Sequence, residues 1–332
     1  MLGCRMPYAV LAVGIALSIC HPAIAKTWRL KGGQQWESVS SDPDEQYQHA
    51  IAELKELVQA GQSKAAKDLA AQLRAEFPDR VGPDIDLFVA GELYYWRDRY
   101  GKALVKYEKL LKDYPASQFA RLAQDREYAM AQAYLAGRKK TVLGFIKISG
   151  YAEGVELMEK ISDRAGLSEP NGVGVNAAIA VAEHYERRQQ FLEAYLKWSE
   201  IASYWDTGPT GKRAVCRMAE DNFAAYNLHP EARRDKFDAS KLTTAKTYYE
   251  KFLALYHQEA VSEDVPEKIK QIDELMAYKQ YRIGLYYRHI RKYRAANLYF
   301  DMVLQNWPKT EAAGMAKQAL AEGQGGEHAR GK

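Results

Sequence analysis

The chain has 332 residues, of which 47% are hydrophobic, so it is long enough to bury the core of one extended domain or of two compact ones. Its 47 lysine and arginine residues nearly balance 43 aspartate and glutamate residues, and a net charge of +4 gives no strong reason to expect a nucleic acid or an anionic membrane as the main partner. The 23 tyrosines stand out, because tyrosine suits helical stacks and contact surfaces that need an apolar body with a polar tip.

Residues 1–25 have the organisation of a secretory signal peptide. Arg5 precedes an apolar run over residues 8–19, and the small residues Ala23 and Ala25 follow, which predicts cleavage after Ala25. The run is too short to span a bilayer comfortably. Cys20 offers a second route, because a cysteine directly after the apolar run can become the lipidated first residue of a bacterial lipoprotein, although Ile19 stands where a small residue is wanted. Both routes predict an exported protein.

Residues 26–43 differ from the rest of the chain. Two short segments, 28–31 and 35–39, flank Gly32 and Gly33, which predicts a hairpin or an extended arm. In the body of the protein the only cysteine is Cys216, so no internal disulfide is available there and the fold must be held by packing. We expect Cys216 to be a small buried hydrophobic residue and not a reactive thiol.

An internal repeat begins after the arm and is clearest over residues 87–115. Small residues recur where two helices would cross closely, an aromatic residue lies beside each crossing, and a proline ends the second helix, as in tetratricopeptide repeats. The positions are Gly91, Tyr94, Ala103, Tyr107 and Pro115.

The same register returns twice in strong form. One copy has Gly284, Tyr287, Tyr293, Ala296, Phe300, Val303 and Pro308, and the other has Ala182, Tyr185, Phe191, Ala194, Trp198 and Ile201, with Asp206 in place of the proline. Weaker copies occupy residues 66–78, 131–161 and 242–252. These copies predict an all-α, tetratricopeptide-like α-solenoid of about six helix pairs. An ordinary bundle of amphipathic helices is the alternative, but it would not require the small and aromatic positions to recur in register.

Three insertions and a tail interrupt this pattern. The insertions fall at residues 138–149, 227–240 and 258–267, and the first is apolar enough over 141–148 to pack back on the helices. Residues 321–332 are rich in glycine and polar, which predicts a disordered tail.

The repeat register also predicts which side chains face a concave groove, namely those of the first helix of each pair, opposite the small-residue seam. An aromatic floor there would suit an extended or β-prone polypeptide, whereas the alternative is that the aromatic residues cover the neighbouring repeat. The candidate client-groove residues are Ile51, Lys55, Val58, Phe88, Glu92, Tyr95, Trp96, Tyr128 and Gln132.

Basic residues crowd one stretch of the last repeat. A solvated turn is one interpretation, and a docking patch for an acidic partner protein is the other. The candidate docking residues are Arg282, Arg288, His289, Arg291, Lys292 and Arg294.

The export signal, the cysteine near its end and the long helical repeats terminated by Tyr-Pro resemble the BamD-like (YfiO-type) outer-membrane assembly lipoproteins. The resemblance is carried by residues 100–115 and 282–308, and by 219–226 followed by 241–256, and it extends over about 44–320. It implies a periplasmic scaffold, peripheral to or anchored in the outer membrane, that helps a β-barrel insertase receive unfolded outer-membrane proteins. The N-terminal repeats, 44–165, would bind clients and the C-terminal repeats, 166–320, would dock on the insertase. Six units instead of the family's usual five leave the role of each surface open.

No catalytic motif accompanies these repeats, so we expect no enzyme activity, no cofactor and no metal site. The nearest approach to a metal cluster is His184 beside Glu183 and Glu186, but neighbours in a helix diverge. The alternatives to an assembly scaffold are another periplasmic tetratricopeptide adaptor, for division or pilus biogenesis, and an accessory protein of a cell-wall hydrolase.

Overall fold

The computed structural model describes residues 27–31, 35–39, 42–142 and 145–330. The chain divides into two compact units, Met1–Arg99 and Tyr100–Lys332. Helices dominate both units, which confirms the predicted all-α class. The predicted signal peptide, with Cys20, lies outside the described residues.

The first unit begins with a hairpin. Strands β1 (Thr27–Lys31) and β2 (Gln35–Val39) pair antiparallel, with Thr27 opposite Val39, so these strands take the hairpin form, one of the two forms predicted for 26–43. Three helices follow: α1 (Pro43–Gln59), α2 (Ser63–Glu76) and α3 (Pro83–Tyr95).

Local sequence sets the limits of α1. The carboxylate of Asp42 accepts a hydrogen bond from the Asp44 amide at 2.9 Å, and Pro43 occupies the first turn, where it loses no helical hydrogen bond. The helix ends before Gly61, whose φ of +71° favours glycine. α1 packs on α2, and α2 packs on α3.

The second unit continues the alternation of helices and short connections. It contains α4 (Tyr100–Asp113), α5 (Ala120–Leu135), β3 (Lys139–Val142), β4 (Ile146–Ser149), α6 (Tyr151–Ala165), α7 (Val173–Arg187), α8 (Phe191–Tyr204), α9 (Gly208–Asn227), a 3-10 turn (Glu231–Lys236), α10 (Ser240–Leu255), α11 (His257–Ser262), α12 (Val265–His289), α13 (Tyr293–Asn306) and α14 (Glu311–Arg330).

The small residues of the repeat and the aromatic residues four positions after them in the second helices lie in the core of this unit, as the sequence predicts. In α13, Ala296 and Phe300 are almost completely buried, and in α8 the same is true of Ala194 and Trp198. A Cβ atom added to Gly284 would lie 2.5 Å from Cε1 of Phe300, so only glycine lets the phenyl ring approach α12 this closely. The small and aromatic positions of the pattern therefore mark the places where paired helices cross.

The first helices of successive pairs in the second unit run parallel. Near the end of α7, the imidazole N–H of His184 donates a hydrogen bond to the backbone carbonyl oxygen of Leu135, the last residue of α5. Between the later helices, residues that come later in one helix contact residues that come later in the next, as parallel helices require. These contacts are Arg213 with Glu183, Arg217 with Glu186, Cys216 with Glu263, and Glu220 with Lys268.

This parallel arrangement gives the second unit two distinct edges. Connections within a pair lie at one edge, which we call the first edge, and its described residues are 136–142, 145–150, 188–190, 228–239 and 290–292. Connections between pairs lie at the second edge, which comprises residues 114–119, 166–172, 205–207, 256–264 and 307–310.

In the described part of the insertion at 138–149, residues 145–149 are exposed and do not pack back on the helices as the sequence had predicted. The insertion forms an antiparallel hairpin of β3 and β4, in which Phe145 is 79% exposed and Ile148 is 47% exposed. Because the two strands pair their backbone groups with each other, the segment needs no helix to satisfy them.

The insertion at 227–240 is ordered against α12. The ammonium of Lys279 donates hydrogen bonds to the carbonyl oxygens of Asp235 and Phe237, at 2.9 and 2.5 Å, and Arg282 binds the Asp235 carboxylate at 3.2 Å. At the end of the chain, α14 reaches Arg330, whereas the sequence predicted disorder from residue 321. Buried alanines at 312, 313, 316 and 319 pack the start of this helix against α12 and α13.

Candidate protein-binding surfaces

The structure buries part of the predicted client groove. Ile51 and Phe88 are 1% exposed, Glu92 is 2% exposed and Val58 is 3% exposed, so none of these side chains is available to a client. The groove assignment of these four residues is therefore corrected. A position opposite the small-residue seam can face a neighbouring helix as well as solvent, and here the alternative reading of Phe88, as part of the packing, is the right one.

The other predicted groove residues of the first unit are accessible to different degrees. Trp96 is 44% exposed, but its indole N–H donates to the carbonyl oxygen of Val58 at 2.9 Å and its ring lies against Gly61. Tyr95 and Lys55 are half-buried, and the Tyr95 ring meets the Trp96 ring edge-on at 5.5 Å. Trp96 thus fastens the turn between α1 and α2 while keeping part of its ring on the surface.

Tyr128 and Gln132 belong to the second unit, one turn apart on α5. Tyr128 is half-buried and Gln132 is exposed. Burial raises the pKa of the Tyr128 hydroxyl, and its hydrogen bond with Gln132 opposes that rise. The predicted groove set is therefore divided between the two units.

Charged side chains link α7, α9 and α12 across their parallel faces. Glu186 accepts a hydrogen bond from the indole of Trp198 at 2.6 Å and lies 3.8 Å from Arg217, which also binds Glu220 at 3.0 Å. Glu220 continues the series to Lys268 at 3.1 Å. Opposite charges alternate along this ladder, so it ties successive repeats together and presents little net charge.

A cavity of about 490 Å³ opens beside the ladder. Cys216 lines it and donates its thiol hydrogen to the Glu263 carboxylate at 3.1 Å. Burial and the neighbouring carboxylates raise the pKa of this thiol far above its ordinary value, so the sulfur stays protonated and is a poor nucleophile. The structure thus agrees with the expectation of a buried, unreactive cysteine.

Asp221 is the most perturbed carboxyl group near the ladder. Its side chain is 2% exposed, and burial, assisted by the negative charge of Glu186, raises its pKa to about 8. The group is therefore protonated at neutral pH. The carboxylate Oδ2 has no hydrogen-bond partner within the described residues.

Glu183, His184 and Glu186, which come nearest to a metal-binding cluster in the sequence, each contact a different residue in the structure. Glu183 binds Arg213, Glu186 binds Trp198, and His184 is buried with its ring 5.3 Å from that of Tyr151. Burial and nearby arginines lower the pKa of His184. Among the described residues, no group of three or more histidine, cysteine, aspartate and glutamate side chains is placed to hold a metal ion.

The predicted docking residues gather where α12 turns into α13. Arg282 and Arg288 lie on α12 and pair with Asp235 and Glu322, at 3.2 and 3.4 Å. His289 ends α12, Arg291 occupies the turn with a φ of +61°, Lys292 precedes α13, and Arg294 is in its first turn. All six are exposed except Arg288, which is half-buried.

Exposed aromatic residues lie beside this basic turn, and they were not among the docking residues predicted from the sequence. Tyr278, Tyr286 and Tyr293 are 39%, 61% and 43% exposed, and Ile290 is 39% exposed. Tyr278, Arg282 and Tyr286 are four residues apart, a spacing that places them on one face of α12. That spacing could have indicated the stripe. We call these three tyrosines, Ile290 and the six predicted docking residues the C-terminal surface.

Within the described ranges, no helix is both long enough and apolar enough to cross a bilayer.

The C-terminal surface lies in the part of the chain that matches a known protein family. Residues 218–324, less than half of the chain, match the model of a family described as YfiO, outer membrane lipoprotein. This part of the chain is similar to that family, as the sequence predicts for 219–226, 241–256 and 282–308. No curated protein matches.

Two solved structures show a distant likeness. The C-terminal part of a tetratricopeptide repeat protein from Cytophaga hutchinsonii is 14% identical, over 81% of this chain and 94% of that one, with a TM-score of 0.33. A tetratricopeptide repeat protein from Parabacteroides merdae is 13% identical, over 83% and 97%, with a TM-score of 0.32. No functional conclusion follows from likeness at this level.

Proposed function

We propose that this protein is a non-catalytic periplasmic scaffold that assists the assembly of outer-membrane β-barrel proteins by binding an insertase and unfolded clients. The observation that carries the proposal is the C-terminal surface, because it combines exposed tyrosines with basic residues inside the region similar to the outer-membrane lipoprotein family. The scaffold acts peripherally to the outer membrane, or anchored in it through Cys20.

The composition of the C-terminal surface suits a protein partner. Tyrosine and arginine are enriched among the residues that contribute most to protein–protein binding, since both offer large contact areas and directed hydrogen bonds. Arg291, Lys292 and Arg294 are exposed at the turn itself, so an approaching acidic surface would meet several cations at once. Such charge complementarity chiefly increases the rate of association.

Client binding is the second half of the proposal. Tyr95 and Trp96 in the first unit, and Tyr128 and Gln132 in the second, keep surface that an unfolded segment can contact. Aromatic rings suit such clients because they give contact area at low entropic cost.

Charge reversal tests the docking half. The variant Arg288→Glu, Arg291→Glu, Arg294→Glu should lose most of its co-purification with a β-barrel insertase from envelope fractions, because it replaces attraction by repulsion. The control variant Lys109→Glu, Lys112→Glu, Arg121→Glu makes the same change in net charge at exposed positions on α4 and α5, and should keep the insertase.

Unchanged recovery of the insertase with the first variant would exclude the C-terminal surface as its docking site. If both variants and the wild-type chain recover division or pilus proteins and no insertase, the scaffold serves a different envelope assembly.

A further inference from the structure

Charge is segregated between the two edges of the second unit, although the chain as a whole is nearly neutral. Acidic residues in the first-edge connections fall in 228–239, where Arg233, Arg234 and Lys236 offset them. The other first-edge connections carry cations: Arg138, Lys139, Lys140, Lys147, Arg188, Arg291 and Lys292. The second-edge connections carry mainly anions: Glu169, Asp206, Glu259, Glu263 and Asp264, against Lys309.

The hairpin of β3 and β4 lies at the basic edge and exposes apolar side chains. Phe145 is 79% exposed, Ile146 is 42% exposed and Ile148 is 47% exposed. Ile146 and Ile148 are two residues apart in one strand, so their side chains share a face of the hairpin. Lys147 lies between them on the other face.

Cations surround these apolar residues. Lys139 and Lys147 are exposed, and neither makes an ion pair with any residue that the structure describes. Lys140 binds Glu153 at the start of α6, which ties the hairpin to the helix behind it. The hairpin therefore presents exposed isoleucines on one face and, on the other, two lysines that make no ion pair within the described residues.

We propose that this hairpin and the adjoining first-edge residues Arg138 and Arg188 rest on an anionic lipid surface, with Phe145, Ile146 and Ile148 inserted among the headgroups. A hairpin with apolar side chains on one face and lysines on the other matches the membrane interface, where the rings and aliphatic chains enter the acyl boundary and the long lysine side chains reach the phosphates. Each lysine or arginine near an anionic leaflet strengthens binding about fivefold.

The small size of the apolar patch favours a lipid surface over a protein partner. A stable protein interface needs about 800 Å² on each side, far more than three side chains provide. Interfacial insertion needs only a few apolar residues, provided that several cations act together with them. The basic edge supplies those cations.

This inference goes beyond the proposed function, since it holds whatever protein the scaffold binds. It also bears on Cys20, because a single lipid chain gives only marginal membrane binding and stable anchoring takes a second signal. The hairpin and its edge would be that second signal, or the first where no lipid is attached.

Vesicle flotation tests the proposal with the exported, processed protein carrying Cys20→Ala, so that no lipid chain contributes. We expect it to float with vesicles of phosphatidylethanolamine and phosphatidylglycerol, and to bind vesicles of phosphatidylcholine alone about tenfold more weakly. Raised salt should weaken the binding to anionic vesicles.

Two variants, each with a matched control, locate the contact. Phe145→Ser, Ile148→Ser should lower binding to anionic vesicles about tenfold, whereas Leu255→Ser, Val261→Ser, at similarly exposed positions next to and within the second edge, should not. Lys139→Glu, Lys147→Glu should lower it at least as much, whereas Lys112→Glu, Lys309→Glu should not. All these positions are exposed, and circular dichroism verifies that each variant is folded.

Three outcomes would overturn the proposal. The first is no flotation with anionic vesicles, and the second is an equal loss in each variant and its control. The third is that Phe145→Ser, Ile148→Ser abolishes a concentration-dependent dimer of the wild-type chain and leaves flotation unchanged, which would assign the hairpin to a second copy.

Discussion

The client groove predicted in the first unit and the basic turn predicted in the second were both inferred from sequence position, yet the structure treats them differently. In the first unit, Ile51, Phe88 and Glu92 are buried, and Trp96 is partly engaged in holding a turn. At the turn between α12 and α13, Arg291, Lys292 and Arg294 are exposed, and exposed tyrosines lie beside them. A residue in a helix can face either the groove or the adjacent helix, whereas a turn at the edge of a repeat has no neighbour to cover it.

The largest expected effect contrasts a buried and an exposed aromatic residue of these two regions. Phe88→Ala should lower the free energy of unfolding by about 3–5 kcal/mol, because it removes a buried ring and leaves a cavity. Tyr286→Ala, at a residue that is 61% exposed, should change it by less than about 1 kcal/mol. Urea denaturation measures both. A loss of less than about 1 kcal/mol in the free energy of unfolding with Phe88→Ala would indicate that Phe88 faces the groove.

The buried carboxyl group of Asp221 predicts a dependence of stability on pH. Its pKa is about 8 in the folded protein and near 3.8 in an unfolded chain, so unfolding releases a proton between these values and stability falls as pH rises. The slope contributed by Asp221 should approach 1.4 kcal/mol per pH unit at about pH 6.5 and fall to about half of that at pH 8, where the folded-state carboxyl group is half ionised. His184, whose pKa is lowered in the folded protein, contributes a slope of the opposite sign around its unfolded pKa, so the effect of Asp221 is clearest above about pH 7.

Asp221→Asn provides the comparison for that slope. The amide has nearly the same shape and does not titrate, so the variant should show a much flatter profile over the same range. A wild-type chain whose stability is constant or rises between pH 6.5 and 8 would contradict a protonated Asp221.

Helix crossing in the second unit can be tested with two glycines that differ in their surroundings. Gly284→Ala should destabilise the protein by about 1–3 kcal/mol, because the new methyl group would overlap the Phe300 ring. Gly314→Ala on α14 meets no atom within 4 Å and should stabilise it by about 0.5–1 kcal/mol. Thermal unfolding of both variants shows the opposite signs, and equal signs would count against the close crossing of α12 and α13.

The smallest expected effect concerns the C-terminal surface itself. Glu322→Gln removes the ion pair with Arg288, which is 3.4 Å long and largely solvent-accessible, and should cost less than about 1 kcal/mol. A larger loss in urea denaturation would mean that Arg288 is a structural residue. In that case the charge-reversal variant would report on folding as well as on docking.

Sequence alone predicted the repeat core but not the surfaces. Ala296 with Phe300, and Ala194 with Trp198, were identified from recurrence, because close crossing of two helices restricts which residues fit. The N-terminal hairpin followed from its paired glycines.

The missed features depend on which neighbour covers each face. The spacing of Tyr278 and Tyr286 indicates that they share a face of α12 but not that this face is exposed, which depends on α14 packing against α12 and α13 and leaving it open. The exposure of Phe145 had the same cause, since no composition rule states whether a short apolar insertion lies on a helix or stands apart from it. The segregation of charge between the two edges required the order of the helices.

The central claim is that the C-terminal surface contacts a partner protein, and photo-crosslinking in intact cells tests it most directly. A photoreactive amino acid at Tyr286 or Tyr293 should give adducts with a β-barrel insertase, whereas the same amino acid at Tyr204 should give none. Tyr204 is the matched control because it is 62% exposed, as Tyr286 is 61% exposed, and it ends α8 at the second edge. Absence of adducts at Tyr286 and Tyr293, or equal adducts at Tyr204, would contradict the claim.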